Sequence, residues 1–179
     1  MVITFIGMPG CGKSCMGRAV AGKLRMKLVD TDKLIERRCG KKLQEIIDEI
    51  GVQEFRRIEE EVLLSVEGDN LIISTGGSAV YSDAGMKHLK SLGKVFYLFC
   101  SYDTVKERIG DFSKRGIVLK PGQTIKDLYE ERAPMYKRYA DVTILCDGHA
   151  YSQYRNSVLR SAKRFLSYEH KETPKKEDS

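Results

Sequence analysis

Gly7-Met8-Pro9-Gly10-Cys11-Gly12-Lys13-Ser14 is the stretch on which the reading of this chain turns. It matches G-x-x-x-x-G-K-[ST] without a mismatch. An apolar run, Val2 to Ile6, stands before it, and a pattern compatible with a helix over 13–24 follows. Strand, glycine-rich turn and helix in that order form a phosphate-binding loop. The glycines let backbone N–H groups turn inward around phosphate oxygens, and the helix N-terminus adds partial positive charge. Lys13 then contacts the outer phosphates of a nucleotide, and Ser14 coordinates Mg²⁺ through its hydroxyl. Gly10, Cys11, Gly12 and Cys15 complete the nucleotide-contacting stretch. The two cysteines read as small residues packed against a tight loop.

Working outward, strands and helices alternate. Lys27-Leu28-Val29 is a second short strand, ending at Asp30-Thr31-Asp32. Two or three helices follow to about residue 65. One carries Leu43, Ile46, Ile47 and Ile50 at helical spacing and stops near Gly51. Leu71-Ile72-Ile73-Ser74 is a third strand, broken by Gly76-Gly77, and 95–99 a fourth. Unbroken apolar runs of this kind suit a parallel sheet buried on both faces. A helix over 103–109 has Ser101 or Asp103 near its cap. The stretch 110–122 is polar, holds Gly116, Pro121 and Gly122, and reads as a mobile lid. A helix over 124–139, a strand over 142–145 and a helix over 151–168 close the chain. The order predicts a three-layer α/β domain over 1–168 with right-handed crossovers, and a disordered polar tail over 169–179.

With 41% hydrophobic and 31% charged residues in 179, the composition is that of one soluble globular domain and not of a disordered chain. No apolar run approaches the roughly 20 residues that span a bilayer, and Met1 to Ile6 reads as a strand rather than a signal peptide. Five cysteines without metal-ligand spacing read as reduced thiols, so the expected location is the cytoplasm. The formal charge of +6 fits a basic pocket for small anions. Lys and Arg alternate with Glu and Asp almost everywhere, which argues against a nucleic-acid surface and a membrane partner.

The loop specifies nucleotide binding, not the reaction. There is no [NT]-K-x-D motif for guanine, and no apolar strand ends in the Asp or Asp-Glu of a motor ATPase. A small kinase remains. Ligands of doubly wound folds bind at the carboxyl ends of strands. There Asp30 and Asp32 can serve different partners, one in the Mg²⁺ shell and one accepting a substrate hydroxyl proton. Either can instead cap the following helix. Arg56 and Glu59 share a helix face, and an arginine held by a glutamate suits a carboxylate ligand.

The set Gly7 to Ser14, Asp30-Thr31-Asp32, Phe55-Arg56-x-x-Glu59, Gly76-Gly77, Arg115 and Arg132-x-Pro134-x-Tyr136 resembles shikimate kinase in order and spacing, over about 2–166. The resemblance implies a P-loop kinase fold with a five-stranded parallel sheet of order 2-3-1-4-5 and a monomer. It implies ATP and Mg²⁺, and phosphorylation of the 3-hydroxyl of shikimate on the route to chorismate and the aromatic amino acids. By the same resemblance, Asp32 orients the hydroxyl and can accept its proton, and Asp30 is an outer-shell Mg²⁺ residue. Arg56 and Arg132 clamp the carboxylate, and Glu59 positions Arg56. Gly76, Gly77 and the neighbouring Ser78 lie under the ring. Arg115 is the lid arginine at the transferring phosphate, and Arg108 lies by the adenine.

Three positions depart from the pattern. Ser78 stands where a third glycine is usual, and it crowds the site if that position needs positive φ. Arg115 is followed by Gly116-Ile117 rather than Pro-Leu, which loosens the open lid. Near the adenine, Asp147-Gly148-His149 replaces an arginine, and His149 can stack there or remain a turn residue. These departures leave room for another acceptor, such as gluconate or a polyol, or for a non-catalytic nucleotide-binding module.

Overall fold

The computed structural model describes residues 1–109, 117, 119–120, 122–148 and 150–172, with 166–172 as backbone only. The expected lid arginine Arg115, its neighbour Gly116 and His149 lie outside the described residues.

Among the described residues, five parallel strands form one sheet in the order β2-β3-β1-β4-β5. They are β1 (Val2–Ile6), β2 (Lys27–Asp30), β3 (Leu71–Ser74), β4 (Lys94–Phe99) and β5 (Val142–Leu145). Every residue of β1 and β3 is buried, as their uninterrupted apolar runs require for strands covered on both faces. The outer strands β2 and β5 are partly exposed. Register is set by pairs such as Phe5 with Ser74 and Phe5 with Phe96, so the ends of β1 and β3 stand level where the loops begin.

The helices described flank the sheet: α1 (Lys13–Leu24), α2 (Thr31–Cys39), α3 (Leu43–Ser65), α4 (Asp83–Leu92), α5 (Tyr102–Ile109), α6 (Ile125–Tyr139) and α7 (Tyr151–Glu172). Gly51, at φ 77° and ψ 167°, breaks α3, so the anticipated stop is a kink after which the chain turns helical again at once. Ile46 and Ile47 are buried with Ile35, Phe55 and Val62 in a small core between α2 and α3, while Ile50, next to the kink, is exposed. Ser101 caps α5 through its hydroxyl, which accepts from the Thr104 N–H at 3.4 Å. Thr124 and Asp127 cap α6 reciprocally.

The last helix runs four residues beyond the expected end at 168 and takes in Glu172. Nothing in the sequence breaks a helix before Pro174, which disfavours helical geometry at the residue preceding it. Residues 173–179 of the expected tail lie outside the described residues. Among the described residues, no helix is long and apolar enough to cross a membrane.

Candidate active site

The site forms where the carboxyl ends of β1, β2 and β3 meet. Between β1 and α1, Gly12 has φ 93° and Gly10 φ 79°, a backbone that side chains rarely adopt. That turn points the start of α1 into a cavity of about 390 Å³. Gly10, Gly12, Lys13, Ser14, Cys15, Asp32, Gly76, Gly77 and Ser78 line it, together with Pro9, Leu43, Phe55 and Thr75. A groove of about 850 Å³ also runs between β5 and α7. Its lining holds neither a carboxylate nor a glycine-rich loop, so the smaller cavity is the one equipped for phosphoryl chemistry.

Lys13 is buried. Its ammonium donates to the carbonyls of Gly7 at 2.8 Å and Met8 at 3.0 Å. Ser14 Oγ lies 3.4 Å from Ser74 Oγ at the end of β3. Cys11 turns its side chain away from the cavity. It is fully buried beneath the loop, and its N–H donates to the Met8 carbonyl at 3.2 Å. A small thiol packs there as a hydrophobe, and burial raises its pKa. Cys15 is exposed at the cavity, and its thiol donates to the Tyr151 hydroxyl at 3.5 Å. Arg108 approaches from α5, on the far side of Gly10, and donates to the Cys100 sulfur at 3.5 Å.

Asp30 and Asp32 part company. Asp30 is the N-cap of α2 and accepts from the Lys33 N–H at 3.3 Å. It does not line the cavity, so the capping role weighed from the sequence is the one observed. Asp32, one residue into the helix, faces the cavity. Loss of solvent pushes its carboxyl up to about 6, against the opposing attraction of Lys13.

The turn after β3 closes the floor. Thr75 donates through its hydroxyl to the Phe5 carbonyl at 3.0 Å, and Tyr136 of α6 donates to the Gly77 carbonyl at 2.6 Å. A Cβ on Gly76 would stand 2.6 Å from Asp32 Oδ1 and 2.7 Å from Glu59 Oε1. A Cβ on Gly77 would meet Pro9 at 2.8 Å and Arg132 Nη1 at 3.2 Å. At Gly77 the Pro9 ring leaves room for glycine alone, and at Gly76 a side chain would push the Asp32 and Glu59 carboxylates aside. The Gly76 N–H donates to Thr31 Oγ1 at 3.3 Å, because α2 opens with that hydroxyl beside it.

Ser78 has φ −91° and ψ −8°, so a side chain fits without strain. Its hydroxyl donates to Glu59 Oε1 at 2.9 Å. Glu59 is 2% exposed, and burial pushes its carboxyl up to about 7, opposed by Ser78 and by the charges of Arg132 and Arg56. Arg132 is 1% exposed and contributed by α6. Arg56, Glu59 and Ser78 share a small pocket with Tyr81. Glu59 and Arg56 are neither hydrogen-bonded nor ion-paired to each other. The Arg56 guanidinium rests over the Tyr81 ring instead, 3.9 Å from its centroid.

Sequence reasoning missed Thr31, Ser74 and Tyr81. Thr31 lies inside the Asp30-Thr31-Asp32 motif without a role of its own there, Ser74 and Tyr81 lie in no motif, and only tertiary contacts give the three their partners. The positions of Thr31 and Ser74 at strand–helix junctions were the one available signal.

A shikimate kinase family model matches residues 9–163. The shikimate kinase of Sulfurihydrogenibium sp. is 36% identical over 163 residues, covering 90% of this chain and 98% of the relative. Among solved structures, shikimate kinase from Acinetobacter baumannii, in complex with shikimate, superposes with TM-score 0.79 at 30% identity, covering 93% of each chain. A gluconokinase from Sinorhizobium meliloti shares the fold alone, with TM-score 0.59 at 12% identity. The loop, the cavity beside it and these similarities agree: the chain belongs to the shikimate kinase family and is an ATP-dependent kinase.

Proposed function

We propose that this kinase transfers the γ-phosphoryl group of ATP to the 3-hydroxyl of shikimate, giving shikimate 3-phosphate and ADP. The observation that carries the reading is the convergence on one floor, Gly76 to Ser78, of a phosphate-binding lysine loop, an ionisable Asp32 and two arginines. Phosphoryl transfer asks for positioning and charge neutralisation more than covalent help. Lys13 supplies positive charge at the outer phosphates, and Arg115 is assigned the same task from the lid. Asp32, with its carboxyl held at about 6, is ionised at neutral pH yet basic enough to take the hydroxyl proton as the bond to phosphorus forms. Arg56 and Arg132 hold the planar carboxylate of the acceptor. Cys15 and Arg108 line the nucleotide side, and His149 is assigned to the adenine.

The donors near the phosphate loop suit Mg²⁺. Ser14 and Ser74 hydroxyls meet within 3.4 Å, a pair of hard oxygen donors of the kind that ion takes. Ser14 would hold the ion, with Asp30 behind it. When bound, Mg²⁺ supplies charge neutralisation at the phosphates. In this reading the enzyme is a cytoplasmic monomer. Lys13, Arg56 and Arg132 direct its basic character at small anions rather than at nucleic acid or a membrane.

The test is ADP release with ATP and Mg²⁺ in the presence of shikimate, gluconate, quinate or no acceptor. Turnover with shikimate alone is expected. Turnover with gluconate and not shikimate would overturn the acceptor. ATP binding without any turnover would make the chain a nucleotide-binding module.

A further inference from the structure

Tyr81 ends the short 3-10 turn Ala79–Tyr81 that follows the glycine floor, and it touches both arginines assigned to the acceptor. The Arg56 carbon Cζ lies 3.9 Å from the ring centroid, and that of Arg132 lies 5.0 Å from it. The Tyr81 hydroxyl accepts from Arg132 Nε at 3.2 Å and donates to Glu131 Oε1 at 3.0 Å. Glu131 is held in turn by the Lys120 ammonium at 3.1 Å and the Gln123 amide at 2.7 Å. Two guanidinium groups brought together from α3 and α6 repel each other, and an aromatic ring attracts both. Arg56 Nε is buried without a hydrogen-bond partner, so the ring face at 3.9 Å is a main support of the group, beside the charge of Glu59.

We infer that Tyr81 is a positioning residue for the acceptor carboxylate: its ring seats Arg56, and its hydroxyl aims Arg132. The inference deepens the shikimate reading and rests on it. Tyr81 lines the small pocket of Arg56, Glu59 and Ser78 and not the cavity of the phosphate loop, so its effect falls on the acceptor side.

The experiment compares wild type, Tyr81→Phe and Tyr81→Leu, each checked for an unchanged melting temperature. KM is measured for shikimate and ATP, and kcat/KM for shikimate against its methyl ester. Tyr81→Leu is expected to raise the shikimate KM about tenfold while leaving the ATP KM within about twofold. Tyr81→Phe, which keeps the ring, is expected to raise it only about two- to fivefold. The preference for shikimate over its ester should shrink in Tyr81→Leu, because the variant has already lost what the carboxylate gains. An unchanged shikimate KM, or an undiminished preference for the free acid, would overturn the role of Tyr81. The same holds if both KM values rise in step. Wild-type silence with shikimate would instead overturn the acceptor reading beneath it.

Discussion

Asp32 and Glu59 approach one point above Gly76 from α2 and α3, and each is held above its ordinary range by burial, at about 6 and about 7. Because the charge of Asp32 also raises Glu59, the protons leave in steps that belong to the pair. The acid limb of kcat/KM is therefore expected between about pH 6 and 7, and a pH–rate profile checks it. Asp32→Asn should cut kcat by about 10²- to 10⁴-fold and leave ATP affinity nearly intact. The same variant has a stability signature. In the unfolded chain these carboxyls ionise near 3.8 and 4.5. From there up to about pH 7 the unfolded chain has released protons that the folded protein still binds, so these two groups make folding less favourable as pH rises. Asp32→Asn removes one such cost. Its melting temperature should exceed wild type at about pH 8, by roughly 1–3 kcal/mol of stability, and the gain should fade toward about pH 4. Thermal melts across that range check this, and a variant that melts lower than wild type at the alkaline end would refute it. Ser78 belongs to the same scale. Its place in a glycine pattern raised the question of crowding, and an ordinary φ with a hydroxyl turned to Glu59 answers it.

At the scale of elements, the turn after β3 leaves its functional carboxylates little freedom. It has no room above Gly76, where carboxylate oxygens of Asp32 and Glu59 stand 2.6 and 2.7 Å from the place a methyl group would take. Gly76→Ala should therefore displace both carboxylates, raising the acceptor KM and lowering kcat by at least about tenfold, with ATP affinity close to wild type. Steady-state kinetics decide this, and a fully active Gly76→Ala would show that the floor yields. Much of the element pattern was legible. The bounds of α1, β3 and β5 follow from a glycine-loop start and from short apolar runs between polar turns. The kink at Gly51 was visible only as a stop, since a positive φ that lets a helix resume leaves no trace in periodicity. The division of labour between Asp30 and Asp32 came from the resemblance and was not legible in the residues themselves. Both are carboxylates at a strand end, and only the first turn of α2 decides which one caps and which one faces the cavity.

At the scale of the molecule, alternating strands and helices gave a parallel sheet, but its order followed from resemblance to a known set of motifs. Periodicity carries no information on which strands are neighbours. The order matters for function: with β1 between β3 and β4, the phosphate loop after β1 lies beside the glycine turn after β3, and α2 brings Asp32 in from β2. Arg56 and Arg132 come from helices far apart in sequence, and a residue such as Tyr81 that joins them has no signature along the chain. The core thus fixes a geometry in which the phosphate loop, Asp32 and the glycine turn line one cavity. The most direct test of that geometry is the product itself. Phosphorus and proton NMR of the reaction of ATP with shikimate should show a single ester at the 3-hydroxyl. Phosphorylation at another hydroxyl, or release of inorganic phosphate alone, would contradict the placement of Asp32 and the arginine clamp.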